Sequence, residues 1–144
     1  MINGAEGRDL KEQEISELIQ RAWEARKKTY APYSHFAVGA ALLTKEGKVY
    51  TGCNIENASF GATNCAERTA FFKAVSEGER EFCAIALCGG DIGMDPADYV
   101  FPCGICRQVM AEFCKKDFMI ISARSLTDYK IFTMAELLPE SFSL

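Results

Sequence analysis

The stretch Thr63-Asn64-Cys65-Ala66-Glu67-Arg68 (residues 63–68) decides how the rest of this chain is read. It sets a soft metal ligand, a carboxylate and a cation within one turn, directly before an apolar helical run. Farther along, Pro102-Cys103-Gly104-Ile105-Cys106-Arg107 supplies a cysteine pair that also opens a helical pattern. Near a helix start, unpaired N–H groups and the helix dipole favour thiolate over thiol. Three thiolates converging on one point, with the fourth position left to water, is the pattern of a catalytic zinc site. Cys65, Cys103 and Cys106 are therefore the expected ligands. Zinc with three thiolates carries a net negative charge, which Arg68 can offset by donating to the sulfurs.

Working outward, residues 10–28 have helical spacing, with Ile15, Leu18, Ile19, Ala22 and Ala25 on one stripe and Asp9 as the expected N-cap. Residues 1–8 are polar and expected to be flexible. Ala31-Pro32-Tyr33-Ser34 cannot continue the helix, because proline disfavours helix at the residue before it. Residues 36–44 read as a buried strand, and residues 48–53 return from the Lys45-Glu46-Gly47 turn as its hairpin partner. The polar loop 54–61 then leads to a helix over 65–77, closed by Gly78. A strand over 82–88, a loop over 89–101, a helix over 103–114 and a strand over 118–122 follow. A last strand within 126–132 is joined by a link short enough for antiparallel pairing only. A short helix over 133–138 precedes the tail. The order predicts one α/β domain over residues 1–144, with a mixed sheet of about five strands and helices on its faces.

Composition narrows the function classes. With 49% hydrophobic and 25% charged residues the chain is an ordinary globular protein. A net charge of −4 weighs against a nucleic-acid partner, and no apolar run approaches the roughly 18 residues that span a bilayer. The first residues lack a signal-peptide pattern, so a cytoplasmic location is expected and the seven cysteines should stay reduced. Cys53, Cys83, Cys88 and Cys114 sit in or beside apolar segments and read as small buried hydrophobes.

Plainer readings compete. Asn64-x-x-Glu67 matches a capping box, in which Glu67 would bond back to the cap. Cys103-x-x-Cys106 fits a redox pair, or half of a closed structural zinc site completed by Cys53, Cys88 or His35. His35, the only histidine, is expected to make local hydrogen bonds.

Taken together, the two motifs resemble the small zinc-dependent cytidine deaminases that act on free nucleosides, over about residues 15–142. Cys65-Ala66-Glu67 stands where such deaminases carry H-x-E, and Pro102-Cys103-x-x-Cys106 matches their second motif directly. The resemblance implies a three-layer fold, one zinc per subunit and Glu67 as the catalytic acid–base. It implies hydrolytic deamination of cytidine and 2′-deoxycytidine to the uridines with release of ammonia, in pyrimidine salvage. Phe36 would pack against the pyrimidine, Asn54 and Glu56 would hold the ribose 3′-hydroxyl, and backbone groups near Ala66 and Cys103 would read the amino group. Phe142 would reach a neighbouring subunit's site in a homotetramer. Phe60 departs from the tyrosine of many relatives. The alternatives are a blasticidin-type nucleoside deaminase and a structural zinc module.

Overall fold

The computed structural model describes residues 10–144, so the expectation for residues 1–8 lies outside the described residues. Helix α1 (Glu12–Ala25) passes through a 3₁₀ turn (Arg26–Lys28) to the hairpin β1 (Phe36–Thr44) and β2 (Val49–Cys53). Helix α2 (Ala66–Ser76), strand β3 (Phe82–Asp91) and helix α3 (Gly104–Phe113) come next, then β4 (Met119–Ala123), β5 (Tyr129–Thr133) and α4 (Met134–Leu137). No helix among the described residues is long and apolar enough to cross a membrane.

The strands form one sheet in the order β2-β1-β3-β4-β5. All pairs are antiparallel except β3 and β4, which are parallel and joined by the crossover through α3. Alternation along each strand divides the core in two. Ala41 and Leu43 of β1, with Ala84, Ala86 and Cys88 of β3, pack against Ile15, Leu18, Ile19 and Ala22 of α1. Ala40, Leu42, Ile85 and Leu87 point the other way, onto Ala70, Phe71 and Ala74 of α2 and Met110 of α3. The result is the expected three layers, with the last two strands antiparallel.

Direction matters for function. Strands β2 and β3 both run opposite to β1, so the end of β2, the end of β3 and the start of β1 share one edge of the sheet. Gly39 faces Cys53 there and Phe36 faces Asp91. From that edge the chain leaves into the loops that lead to Cys65 and Cys103, with Cys106 in the first turn of α3.

Two sequence expectations are corrected. The N-cap of α1 is Lys11, whose backbone N–H donates to Glu14 at 3.3 Å; Asp9, the expected cap, lies outside the described residues. Strand β3 also continues past Cys88 to Asp91, pairing Gly89 with Val38 and Gly90 with Ala37. The two glycines suggest a loop, yet at Gly89 a Cβ would meet the Phe36 ring, Val38 and Val100 at 3.0–3.1 Å. At Gly90 a Cβ would meet the Pro96 Cα at 3.1 Å and the Arg26 Nη2 at 3.2 Å, so both glycines permit close approach to the strand.

Close approach is stricter still at Gly39 and Gly52, which have neighbours' backbone where a side chain would go. A Cβ would lie 1.9 Å from the Ala22 carbonyl oxygen at Gly39, and 2.3 Å from that of Ala66 at Gly52. Gly39→Ala and Gly52→Ala should each cost about 1–3 kcal/mol by overpacking. Urea unfolding checks this, with Gly47→Ala as the turn control: a φ of +100° at Gly47 makes that change costly through backbone strain alone.

Candidate metal centre

Cys65 is the N-cap of α2 and Cys103 that of α3, each with extended backbone angles. The pleat and the crossover bring these helix starts together. The Cys65 and Cys103 sulfurs are 3.8 Å apart, and those of Cys65, Cys103 and Cys106 all lie within 4.8 Å of one another. Tetrahedral zinc with Zn–S bonds of about 2.3 Å spaces its sulfurs by roughly 3.8 Å, so the donor set fits the metal. Among the described residues no further cysteine, histidine or carboxylate joins this group, and the closed four-ligand alternative finds no support.

The surroundings suit anionic sulfur. The Cys103 sulfur accepts from the Cys106 backbone N–H at 3.5 Å. The Arg68 Nη2 donates to the Cys65 sulfur at 3.3 Å. Arg68 Nε is buried with no hydrogen-bond partner among the described residues, a desolvated donor beside the thiols. Cys65 is pulled down to about 5, first by a hydrogen bond from the Cys106 thiol and then by Arg68, against the effect of burial. Cys106 moves up, because it is the donor in that pair and is itself buried. The unused cysteines behave differently: burial pushes Cys88 up to about 12 and Cys114 well above its usual range.

Glu67 is the second residue of α2 and only 5% exposed. Burial is the main cause that raises its carboxyl to about 7, with the Cys65 charge adding to it. The capping-box reading fails, since the cap is Cys65 and the Asn64 amide instead donates to Thr69 Oγ1 at 3.1 Å. Ala66 is buried at the first helical position, where its N–H has no intrahelical acceptor.

Asn54 and Glu56 lie on the loop that follows β2. Asn54 Oδ1 accepts from the Val38 N–H at 2.9 Å and the Thr29 hydroxyl at 3.0 Å, and its Nδ2 donates to the Phe36 carbonyl at 2.8 Å. Its second amide hydrogen has no partner among the described residues. Glu56 accepts from the N–H groups of Tyr33 and Ser34 at 3.0 and 3.1 Å, and from the Ser34 hydroxyl at 2.5 Å. These bonds, the hydroxyl first, hold its carboxyl below the ordinary carboxylate range. Between them, Ile55 exchanges both backbone bonds with Asn64, the residue before Cys65, at 2.9 Å. Phe36, Asn54 and Glu56 thus belong to one clamp around residues 33–38, tied to the metal loop.

Tyr33, Ser34, Glu56, Phe60 and Thr63 line an open depression. Phe60 is 76% exposed and meets Tyr33 edge to face at 6.0 Å. Phe142 is 68% exposed, and only its carbonyl is engaged, by Gln108. The His35 backbone N–H donates to the Ala31 carbonyl at 3.0 Å, and its carbonyl accepts from the Ile92 N–H at 2.9 Å. Thr29 and Ser34 are the positioning groups that sequence reading missed. Ser34 stood in the Pro-Tyr-Ser run noticed only as a helix stop, and nothing in the sequence marked Thr29.

The profile described as "Cytidine and deoxycytidylate deaminase zinc-binding region" matches residues 12–122. The chain belongs to this family. A cytidine deaminase of Halalkalibacterium halodurans is 52% identical over 126 residues, 88% of this chain and 92% of that protein. The crystal structure of a Burkholderia pseudomallei cytidine deaminase superposes with a TM-score of 0.80 at 48% identity, covering 88% of this chain and 97% of that one. A blasticidin-S deaminase of Bacillus cereus is more distant, 33% identical over 113 residues (76% of this chain, 79% of that protein). Zinc is the metal this family membership and the donor set agree on.

Cys103→Ala should lose that metal. Metal analysis should fall from about one zinc per chain to near zero, and the melting temperature should drop by about 5 °C or more, since bound metal contributes to folding stability. Retention of zinc at the original level would show that another group is the ligand.

Proposed function

We propose that this protein is a cytidine deaminase, hydrolysing free cytidine and 2′-deoxycytidine to uridine and 2′-deoxyuridine with release of ammonia. One observation carries the reading: a buried carboxyl, that of Glu67, stands two residues from Cys65 in a three-thiol group at zinc spacing. Cys65, Cys103 and Cys106 would hold zinc, which when bound acts as a Lewis acid and makes water nucleophilic at neutral pH.

The rest falls to the chain's own groups. Glu67 takes a proton from the attacking water and passes one to ring N3, leaving C4 electron-poor. Once the C4–O bond has formed, Glu67 takes the remaining proton from the new C4 hydroxyl and delivers it to the amine, so that the C4–N bond breaks, the C4 carbonyl forms and ammonia leaves. A carboxyl poised near neutrality serves both directions of transfer. Arg68 tempers the charge of the sulfurs. Phe36 packs against the base, and the Ala66 N–H and the backbone at Cys103 read the amino end. The spare Asn54 amide hydrogen and the ionised Glu56 carboxylate take the ribose 3′-hydroxyl. That carboxylate repels a phosphate, which favours nucleosides over nucleotides. Phe142, exposed on a seated backbone, is suited to enter a neighbour's site in a homotetramer. Such an enzyme would serve pyrimidine salvage in the cytoplasm.

The purified protein should convert cytidine to uridine, and prolonged treatment with a strong chelator should abolish the conversion. Faster turnover of blasticidin S than of cytidine would move the assignment to that substrate, and zinc without any ammonia release would mark a structural module. Glu67→Gln should keep zinc and lose about 10²–10⁴-fold in kcat. Near-normal turnover in that variant would rule out the acid–base role.

A further inference from the structure

Arg107 follows the second cysteine of the Cys103–Cys106 pair and is half-buried. Its Nε donates to the Pro102 carbonyl at 2.7 Å and its Nη1 to the Leu137 carbonyl, also at 2.7 Å. Its backbone N–H closes the first turn of α3 on the Cys103 carbonyl at 2.9 Å. The next side chain, Gln108, reaches the Phe142 carbonyl at 3.4 Å. Two successive residues of α3 therefore hold the last stretch of chain, and one of them also holds the residue before Cys103.

Both carbonyls depend on such a donor. Pro102 is buried, and Leu137 ends α4, where carbonyls lack intrahelical partners. The start of α4 is anchored separately, by the Met134 N–H on the Phe118 carbonyl and the Ala135 N–H on the Lys116 carbonyl. Loss of the Arg107 bonds would thus loosen the end of α4 and the tail, which keep the Leu138 N–H bond to the Met134 carbonyl and the Gln108 bond to Phe142, and leave the start of α4 in place. A guanidinium suits this bridge because its donors leave a rigid plane in different directions, each charge-assisted. A lysine ammonium is a compact charge that cannot span both acceptors.

We propose that Arg107 is a positioning residue that couples the C-terminal segment, residues 137–142, to the loop carrying Cys103. Seating of the tail and retention of the metal then depend on one side chain that touches neither substrate nor metal. The metal half of this statement rests on the zinc reading above; the tail half does not.

The test uses the full-length zinc-loaded protein, Arg107→Lys and Gln108→Ala, with hydrogen–deuterium exchange at residues 138–142 and the rate of zinc loss to a chelator. Arg107→Lys keeps charge and length, and a thermal melt confirms that it folds. It should speed both tail exchange and zinc loss by about tenfold, the lower range for residues that support metal ligands from behind. Gln108→Ala should speed tail exchange while zinc loss stays at the unmodified rate. Unchanged tail exchange or unchanged zinc loss in Arg107→Lys would overturn the coupling, as would equal acceleration of zinc loss in Gln108→Ala. Absence of zinc from the unmodified protein would instead refute the metal reading, with tail exchange still testing the Arg107–Leu137 bond.

Discussion

Three sulfurs within 4.8 Å of one another are the constraint on which this structure turns. Such a group can exist only if two helix starts, far apart in sequence, are delivered to the same place. The sheet does this by direction. Because β2 and β3 both run against β1, their ends and the start of β1 lie on one edge. The chain leaves that edge twice, once into the loop before Cys65 and once into the loop before Cys103. A parallel pairing of β3 with β4 then requires a crossover, and α3 is that crossover. The metal centre is therefore a consequence of topology before it is a matter of ligand chemistry.

Charge is handled locally around it. Glu67 is kept out of water, and that burial more than any neighbour raises its carboxyl to about 7. Glu56 shows the reverse case, a carboxylate satisfied by a hydroxyl and two backbone N–H groups and held low. Two carboxyls of nearly equal intrinsic acidity are thus pushed in opposite directions by burial on one side and hydrogen bonding on the other. The first suits proton transfer and the second suits recognition. Asn54 adds rigidity: with three of its bonds spent on β1 and Thr29, it presents its last donor from a fixed position.

Much of this was legible in the residues. The bounds of β1, both helix starts with their cysteines, and the antiparallel last pair follow from apolar runs, turn residues and link length. Gly89 and Gly90 misled, because a strand glycine kept for close approach looks the same in sequence as a loop glycine. The capping pattern at Asn64 is one residue out of register with the helix, which Cys65 caps; which residue caps depends on where the helix is forced to begin. Thr29 and Arg107 gave no signal, since the Asn54 amide and the Leu137 carbonyl that they reach are distant in sequence.

The sequence by itself determined which atoms could do the chemistry: three thiols, the Glu67 carboxylate and the Arg68 guanidinium, in two short motifs. It also determined the alternation that divides the core between two faces of a sheet. Only the tertiary structure decided that the sulfurs meet at zinc spacing, that Glu67 is buried and Glu56 is not, and that Arg107 joins the tail to the metal loop. The physical reason is that residue type and local period are written along the chain. Burial and distance arise only when separate segments pack.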